Sequence, residues 1–282
     1  MVTSFNSKPP YYTYNGEQYE RKSEGEKALG LFLATAASGV VLKALPSFSN
    51  PFLKQIKEEH ANNHLYKDAF FKSYEQSGLK DQGLKVVSVF FKPGEEERYK
   101  LSPKGIELGD VKAGLNAFYV PEKNSVVLNT EKATITGFHE FGHAMNNLQS
   151  KFGKVLGKMR APGYSIAALM GTVAIFFRHK PKDADRNAWD WLQDNCGKIA
   201  FIGMLPTVAE EGLASYKGIK LAKNAGLDEA LVKNLKKFYG KALLSYAGYA
   251  FLIGFSTYIA SKITEFFTRP TKVEYQNDNI AA

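Results

Sequence analysis

Residues 242–261, "ALLSYAGYAFLIGFSTYIAS", are twenty consecutive residues without a charge. As a helix they span about 30 Å, the thickness of a bilayer's hydrocarbon core, where a backbone must satisfy its own hydrogen bonds. The stretch predicts a transmembrane helix over 241–264. Shorter apolar runs accompany it. Residues 28–42 form a fifteen-residue uncharged run, and Lys43 can snorkel so that it extends to 48 as an uncleaved anchor. Residues 161–177 form a run of seventeen and residues 199–209 one of eleven, the latter interrupted by Pro206. Trp189 and Trp191, residue types favoured at a membrane interface, lie in the polar connection between them. Residues 161–209 therefore read as an apolar membrane hairpin with a second arm short enough to be re-entrant, although arms this short also suit a buried helical hairpin.

The remaining segments are polar or mixed. Residues 1–27 are Tyr-rich and punctuated by Pro9, Pro10 and Gly16, which predicts a loosely ordered leader, and 265–282 form a polar tail. Apolar positions Phe52, Ile56, Leu65, Phe70 and Tyr74 predict a helix over 51–77, with Pro51 in its first turn and Gly78 as its stop. Three extended runs follow, "VVSVFF" at 86–91, "LNAFYV" at 115–120 and "SVVLN" at 125–129, and "PEKN" reads as the turn of a hairpin between the last two. Together they predict a small antiparallel sheet leading into a helix that ends near Ser150 and is capped by Thr130 or Thr134. The fold class is α+β, a predominantly helical membrane protein with about two to four transmembrane or re-entrant helices. Its core spans 49–160, and 210–240 supply a further helix and connector.

Charge and cysteine usage exclude some functions. The net charge of +9 is spread along the chain as lysine, without the dense basic block of a nucleic-acid groove, and suits an anionic membrane surface better. Cys196 is the only cysteine, so neither an internal disulfide nor a cysteine zinc knuckle can form.

The helix after the hairpin contains "HEFGH". Positions i and i+4 differ by 40° about a helix axis and about 6 Å along it, so His139 and His143 can reach one metal ion. Glu140 lies beside them, where a general base must stand to deprotonate a metal-activated water. Gly142 costs roughly 1 kcal/mol of helix propensity, which predicts that another backbone comes close there. His60 and His64 repeat the i,i+4 spacing but lack the following glutamate, so they read as a solvated helix face.

A catalytic zinc takes three protein ligands and keeps one position open. His179, among Arg178, Lys180 and Lys182, is one candidate for the third. The segment "PTVAEEGLASYKG" offers better ones in Glu210 and Glu211, with Glu211 favoured because Gly212 and Ala214 beside it permit close packing on the histidine helix. Asn147, one turn beyond His143, is a candidate for supporting the site. Tyr164, His179 and Tyr216 are all candidates for stabilising an oxyanion.

HEFGH with a glutamate about seventy residues later resembles a gluzincin metallopeptidase. The apolar hairpin between the two resembles the membrane-embedded HtpX-like and CAAX prenyl proteases. "NAFYVPEKNSVVLN" is similar to that family's edge-strand hairpin, and "EGLAS" to its third-ligand segment. Ser215 stands where the family usually has aspartate, and the leader has no counterpart in it. The resemblance, which covers roughly residues 86–220, implies one Zn²⁺ per chain held by His139, His143 and Glu211, with Glu140 as catalytic acid and base.

The activity so implied is membrane-bound zinc endopeptidase, with a peptide or protein substrate and a lipid bilayer as partners and no nucleic acid. A non-catalytic membrane scaffold of the same fold is the alternative. Retention of Glu140 counts against it, since a site that only holds metal has no use for that carboxylate. Lys and Arg are nearly balanced between the two sides of the predicted spans, and their density over 217–241 leans toward a cytoplasmic catalytic face in the cell membrane.

Overall fold

The computed structural model describes residues 11–60, 63–90, 108–133 and 135–273. The chain is α+β and mostly helical. It divides into two compact units, one of Leu45–Gly163 and Met204–Ala250, the other of Met1–Ala44, Tyr164–Gly203 and Phe251–Ala282.

The chain opens with strands β1 (Tyr11–Tyr14) and β2 (Glu17–Glu20), followed by helix α1 (Glu24–His60) and helix α2 (His64–Gln76). Strand β3 (Lys85–Ser88), the short helix α3 (Leu108–Lys112), and strands β4 (Ala117–Val120) and β5 (Ser125–Leu128) come next. Four helices follow: α4 (Ile135–Gln149), α5 (Lys151–Phe176), α6 (Ala188–Asn224) and α7 (Glu229–Thr268). Strand β6 (Thr271–Lys272) closes the described chain.

In the unit that contains HEFGH, the three expected strands form one sheet in the order β3-β5-β4. The hairpin forms as its turn residues dictate. Pro121–Lys123 make one 3-10 turn, and Asn124 takes the left-handed φ of 46° that an amide side chain tolerates best. The sheet is not wholly antiparallel, because β3 pairs parallel to β5, Lys85 opposite Ser125. A parallel partner needs a long crossover, here residues 89–124, and that pairing leaves no local mark in sequence. All four β5 residues are buried, as befits a central strand. Helix α4 packs against β4 and β5, and Phe138 and Phe141 meet Phe70 of α2, whose ring stacks on Phe141 at 4.2 Å. Tyr66, Ala69, Phe70 and Ser73 are the buried stripe of α2, and Asn63 caps it by accepting from the Leu65 amide.

Two boundaries differ from expectation. Pro51 lies inside α1, not in the first turn of a new helix, and α2 is a separate helix that begins at His64. His60 and His64 thus belong to different helices, so their i,i+4 spacing has no helical meaning. Pro206 lies inside α6. The segment expected to start a third-ligand helix is the middle of a 37-residue one, which places Glu210 and Glu211 far from any helix end. Thr134, an expected cap, lies outside the described residues.

In the other unit, the leader is ordered where it is described. "YYTYNGEQYE" folds as a hairpin on Asn15 and Gly16, both at positive φ, as a two-residue Asn-Gly turn requires. Strand β2 pairs in turn with β6, Tyr19 opposite Lys272, so part of the expected tail is sheet. The helical segments pack through glycine. A Cβ on Gly197 would fall 2.8 Å from the Gly254 carbonyl oxygen, and one on Gly254 would fall 2.7 Å from the Phe201 Cβ, so α6 and α7 cross at close range. Along α7 the polar residues Ser256, Thr257, Ser261 and Thr264 are buried, while Phe251, Phe255, Tyr258 and Phe266 are exposed. Among the described residues, α7 is the one helix long and apolar enough to cross a membrane. The run at 28–48 lies within α1, where side chains from 41 to 56 lie outside the described residues, and 161–209 become parts of α5 and α6 with their connection.

Candidate metal centre

Helix α4 presents His139 and His143 on one face, with Nε2 atoms 3.0 Å apart and ring planes nearly perpendicular. Helix α6 brings Glu211 against them. Its Oε2 lies 3.0 Å from His139 Nε2 and 3.6 Å from His143 Nε2. Three electron-pair donors therefore form a triangle with edges of 3.0, 3.0 and 3.6 Å. Ligands about 2.05 Å from zinc at tetrahedral angles stand about 3.3 Å from one another, so the set fits a zinc ion with its fourth position open.

Close packing of α4 on α6 makes this possible. A Cβ on Gly142 would lie 2.6 Å from the Ala214 carbonyl carbon, and one turn away a Cβ on Gly218 would lie 2.8 Å from that of Phe138. The approach expected at Gly142 is present, and the partner is the Ala214 backbone within "EGLAS".

The outer nitrogen of each histidine is also held. Ser215 Oγ lies 3.2 Å from His139 Nδ1, and Glu210 Oε1 lies 2.8 Å from His143 Nδ1. Such bonds fix ring orientation and leave Nε2 for a metal. Glu210 thus contacts His143 Nδ1, while Glu211 faces both Nε2 atoms. Arg160 of α5 forks across the two carboxylates, Nη1 3.0 Å from Glu210 Oε2 and Nη2 2.9 Å from Glu211 Oε1. Asn146 donates to Glu210 Oε1 at 2.9 Å. Asn147 donates to the Tyr119 hydroxyl at 2.9 Å.

Glu140 completes the group. The Tyr119 amide donates to its Oε2 at 2.8 Å, tying the carboxylate to the outer edge of β4. In an antiparallel pair both backbone groups of alternate residues point away from the partner strand, so Ala117 and Tyr119 turn theirs outward. Burial raises the Glu140 carboxyl above its usual range, and the neighbouring histidines oppose the shift. Burial also disfavours charge on His143, but hydrogen bonds to Glu210 and Glu211 outweigh it and raise the imidazole to about 10. Glu210 and Glu211 are both held below the usual range, since bonds and charges from the histidines overcome the opposing effect of burial.

His139, Glu140, His143 and Glu211 are therefore brought together, and they line a cleft of about 840 Å³ with the β4 edge, α5 and the start of α7. His179 belongs to the other unit, where its ring is buried and its amide donates to Thr268 Oγ1. Tyr216 is 65% exposed and Tyr164 belongs to the other unit; neither lines the cleft, whose wall carries Tyr239 and Tyr246 instead. Sequence reasoning missed Arg160 and Asn146. Arg160 was visible only as the last charge before an apolar run, and Asn146 and Asn147 stand equally well one turn beyond His143.

Compared with protein-family models, with curated proteins and with solved structures, the chain matches none. The resemblance to gluzincins rests on its sequence motifs alone.

Proposed function

We propose that the protein is a membrane-bound zinc-dependent endopeptidase. The observation that carries the reading is the triangle of His139 Nε2, His143 Nε2 and Glu211 Oε2 with the Glu140 carboxylate beside it. Bound there, Zn²⁺ would supply Lewis acidity toward a carbonyl oxygen and make a water more acidic. Glu140 accepts the proton of the attacking water and returns it to the leaving amine. The Tyr119 amide keeps the carboxylate aimed, and Glu210, Ser215 and Arg160 hold the ligands. The outward backbone groups of β4 provide an edge on which an extended peptide can add as a strand.

Membrane residence is supported by α7, whose length and composition suit a span and whose apolar half buries Ser256, Thr257, Ser261 and Thr264 while exposing Phe251, Phe255, Tyr258 and Phe266. Polar interior and apolar exterior are what a lipid solvent favours. The lysine-rich stretch 217–241 favours a cytoplasmic catalytic face.

The test is zinc stoichiometry and peptide cleavage measured together on wild type and Glu140→Gln. Zinc in both with cleavage only in wild type supports the enzyme. Zinc in both with cleavage in neither favours a scaffold.

A further inference from the structure

The cleft has a second chemical character that the metal centre does not use. Lys154 and Lys158 stand four residues apart on α5, hence on one face, and both are exposed and line the cleft. Arg160 lies further in, on Glu210 and Glu211. Between the lysines the helix wall is bare, because nothing lies within 4 Å of the place a Gly157 Cβ would take. Across the cleft, Lys57 of α1 is half-buried in the field of Asp110 and Glu140. Among the described residues, none of these three lysines has a carboxylate within ion-pairing distance.

Charge balance gives these cations a purpose. A divalent ion together with Arg160 balances Glu140, Glu210 and Glu211, so the lysines remain as a surplus that Glu122 at the rim and Asp110 near Lys57 offset only in part. The ammonium groups line the cleft that also exposes the outer edge of β4, where a strand would be laid. A low-dielectric cleft of one sign concentrates ligands of the other.

We propose that the cleft selects acidic peptides, with Lys154, Lys158 and Lys57 pairing with Asp or Glu side chains of a segment laid along β4. The proposal rests on the endopeptidase reading for the cleavage of a bound peptide, but not for the binding itself.

The experiment uses the full chain in detergent as Glu140→Gln, equilibrated with Zn²⁺. Fluorescence anisotropy compares two labelled peptides, identical except that Asp and Glu in one are Asn and Gln in the other. Exposed charge pairs are each worth roughly a 1.5- to fivefold effect, so the acidic peptide is expected to bind roughly five- to twentyfold tighter at low salt. Added salt should erode that difference. In Lys154→Glu/Lys158→Glu, with zinc content as the folding control, the preference should invert. Equal affinity for the two peptides overturns the proposal, as does a preference unchanged by the double substitution. It is equally overturned if the same lysines govern binding to phosphatidylserine vesicles while the peptides go undistinguished, since they then serve a membrane surface. Wild-type kcat/KM on both peptides separates this from the parent reading. Cleavage of neither removes the peptidase while the anisotropy still reports on the cleft, and equal cleavage of both removes the selectivity alone.

Discussion

Gly142→Ala tests whether the approach of two helices sets the metal geometry. The new Cβ would stand 2.6 Å from the carbonyl carbon and 2.8 Å from the Cα of Ala214. Non-bonded carbons rest at about 3.5 Å, so the shortfall is about 1 Å. The obstructing atoms are backbone in the middle of a long helix and cannot swing aside, so α4 and α6 must part by about that amount. Glu211 lies one turn before Ala214 on α6 and moves with it. Its 3.0 and 3.6 Å separations from the two Nε2 atoms then approach or pass 4 Å, beyond the roughly 3.4 Å that one zinc with bonds of about 2.1 Å bridges at tetrahedral angles. Zinc affinity should fall at least a hundredfold, the upper range for a lost supporting contact. Alanine favours helix over glycine by about 1 kcal/mol, so helical content should persist even though overpacking costs about 1–3 kcal/mol. Competition against a chromophoric chelator on detergent-purified protein reads the affinity, with circular dichroism as the folding check. Gly240→Ala, where nothing lies within 4 Å of the added Cβ, is the control and should leave zinc binding unchanged. Wild-type zinc affinity in a folded Gly142→Ala protein would refute the reasoning.

The same contacts set other expected outcomes. Glu211→Ala should abolish stoichiometric zinc, whereas Glu210→Gln should weaken it by about 10- to 100-fold, because one binds and the other orients; equal losses in metal analysis would contradict that division. Arg160→Met should weaken zinc binding by a similar factor, with Arg160→Lys intermediate, since a single ammonium cannot fork across two carboxylates; a chelator titration in which both variants match wild type removes Arg160 from the site. The metal-free protein should lose stability as pH rises. His143 is raised from 6.5 to about 10 in the folded state, so its contribution is full below 6.5 and disappears as pH climbs through 10, on the order of a few kcal/mol. Thermal melts between pH 6 and 10 should show this in the metal-free protein and not in His143→Gln, and a flat profile in both would exclude the protonated pair. Carbonate or high salt should fail to release the protein from membranes, and release without detergent would rule out integral insertion.

What sequence revealed was mostly local. HEFGH needs only the helical repeat to align two imidazoles, and PEKN needs only the dihedral preferences of proline and asparagine, so both were readable. The glycine beside the second histidine also announced its purpose through its cost to the helix. The assignments that failed depended on distant partners. Strand β3 pairs parallel to β5 across a long crossover, Arg160 meets glutamates fifty residues away, and Tyr19 is buried by a strand from the far end of the chain. Pro206 illustrates a different limit. Its missing amide costs the helix a hydrogen bond, yet α6 continues through it, because tertiary context overrides local propensity. The Asn15–Gly16 turn was a readable hairpin signal, outweighed by the polar composition around it.

The pairing of β2 with β6 has a topological consequence. Two strands joined by backbone hydrogen bonds occupy the same side of a bilayer, so the chain between Glu20 and Thr271 crosses it an even number of times. A lone span through α7 would place those strands on opposite faces and tear the sheet apart. If α7 does cross a bilayer, the β2–β6 pairing therefore requires a second crossing somewhere between Glu20 and α7, for which α1, α5 and α6 are the long helices available.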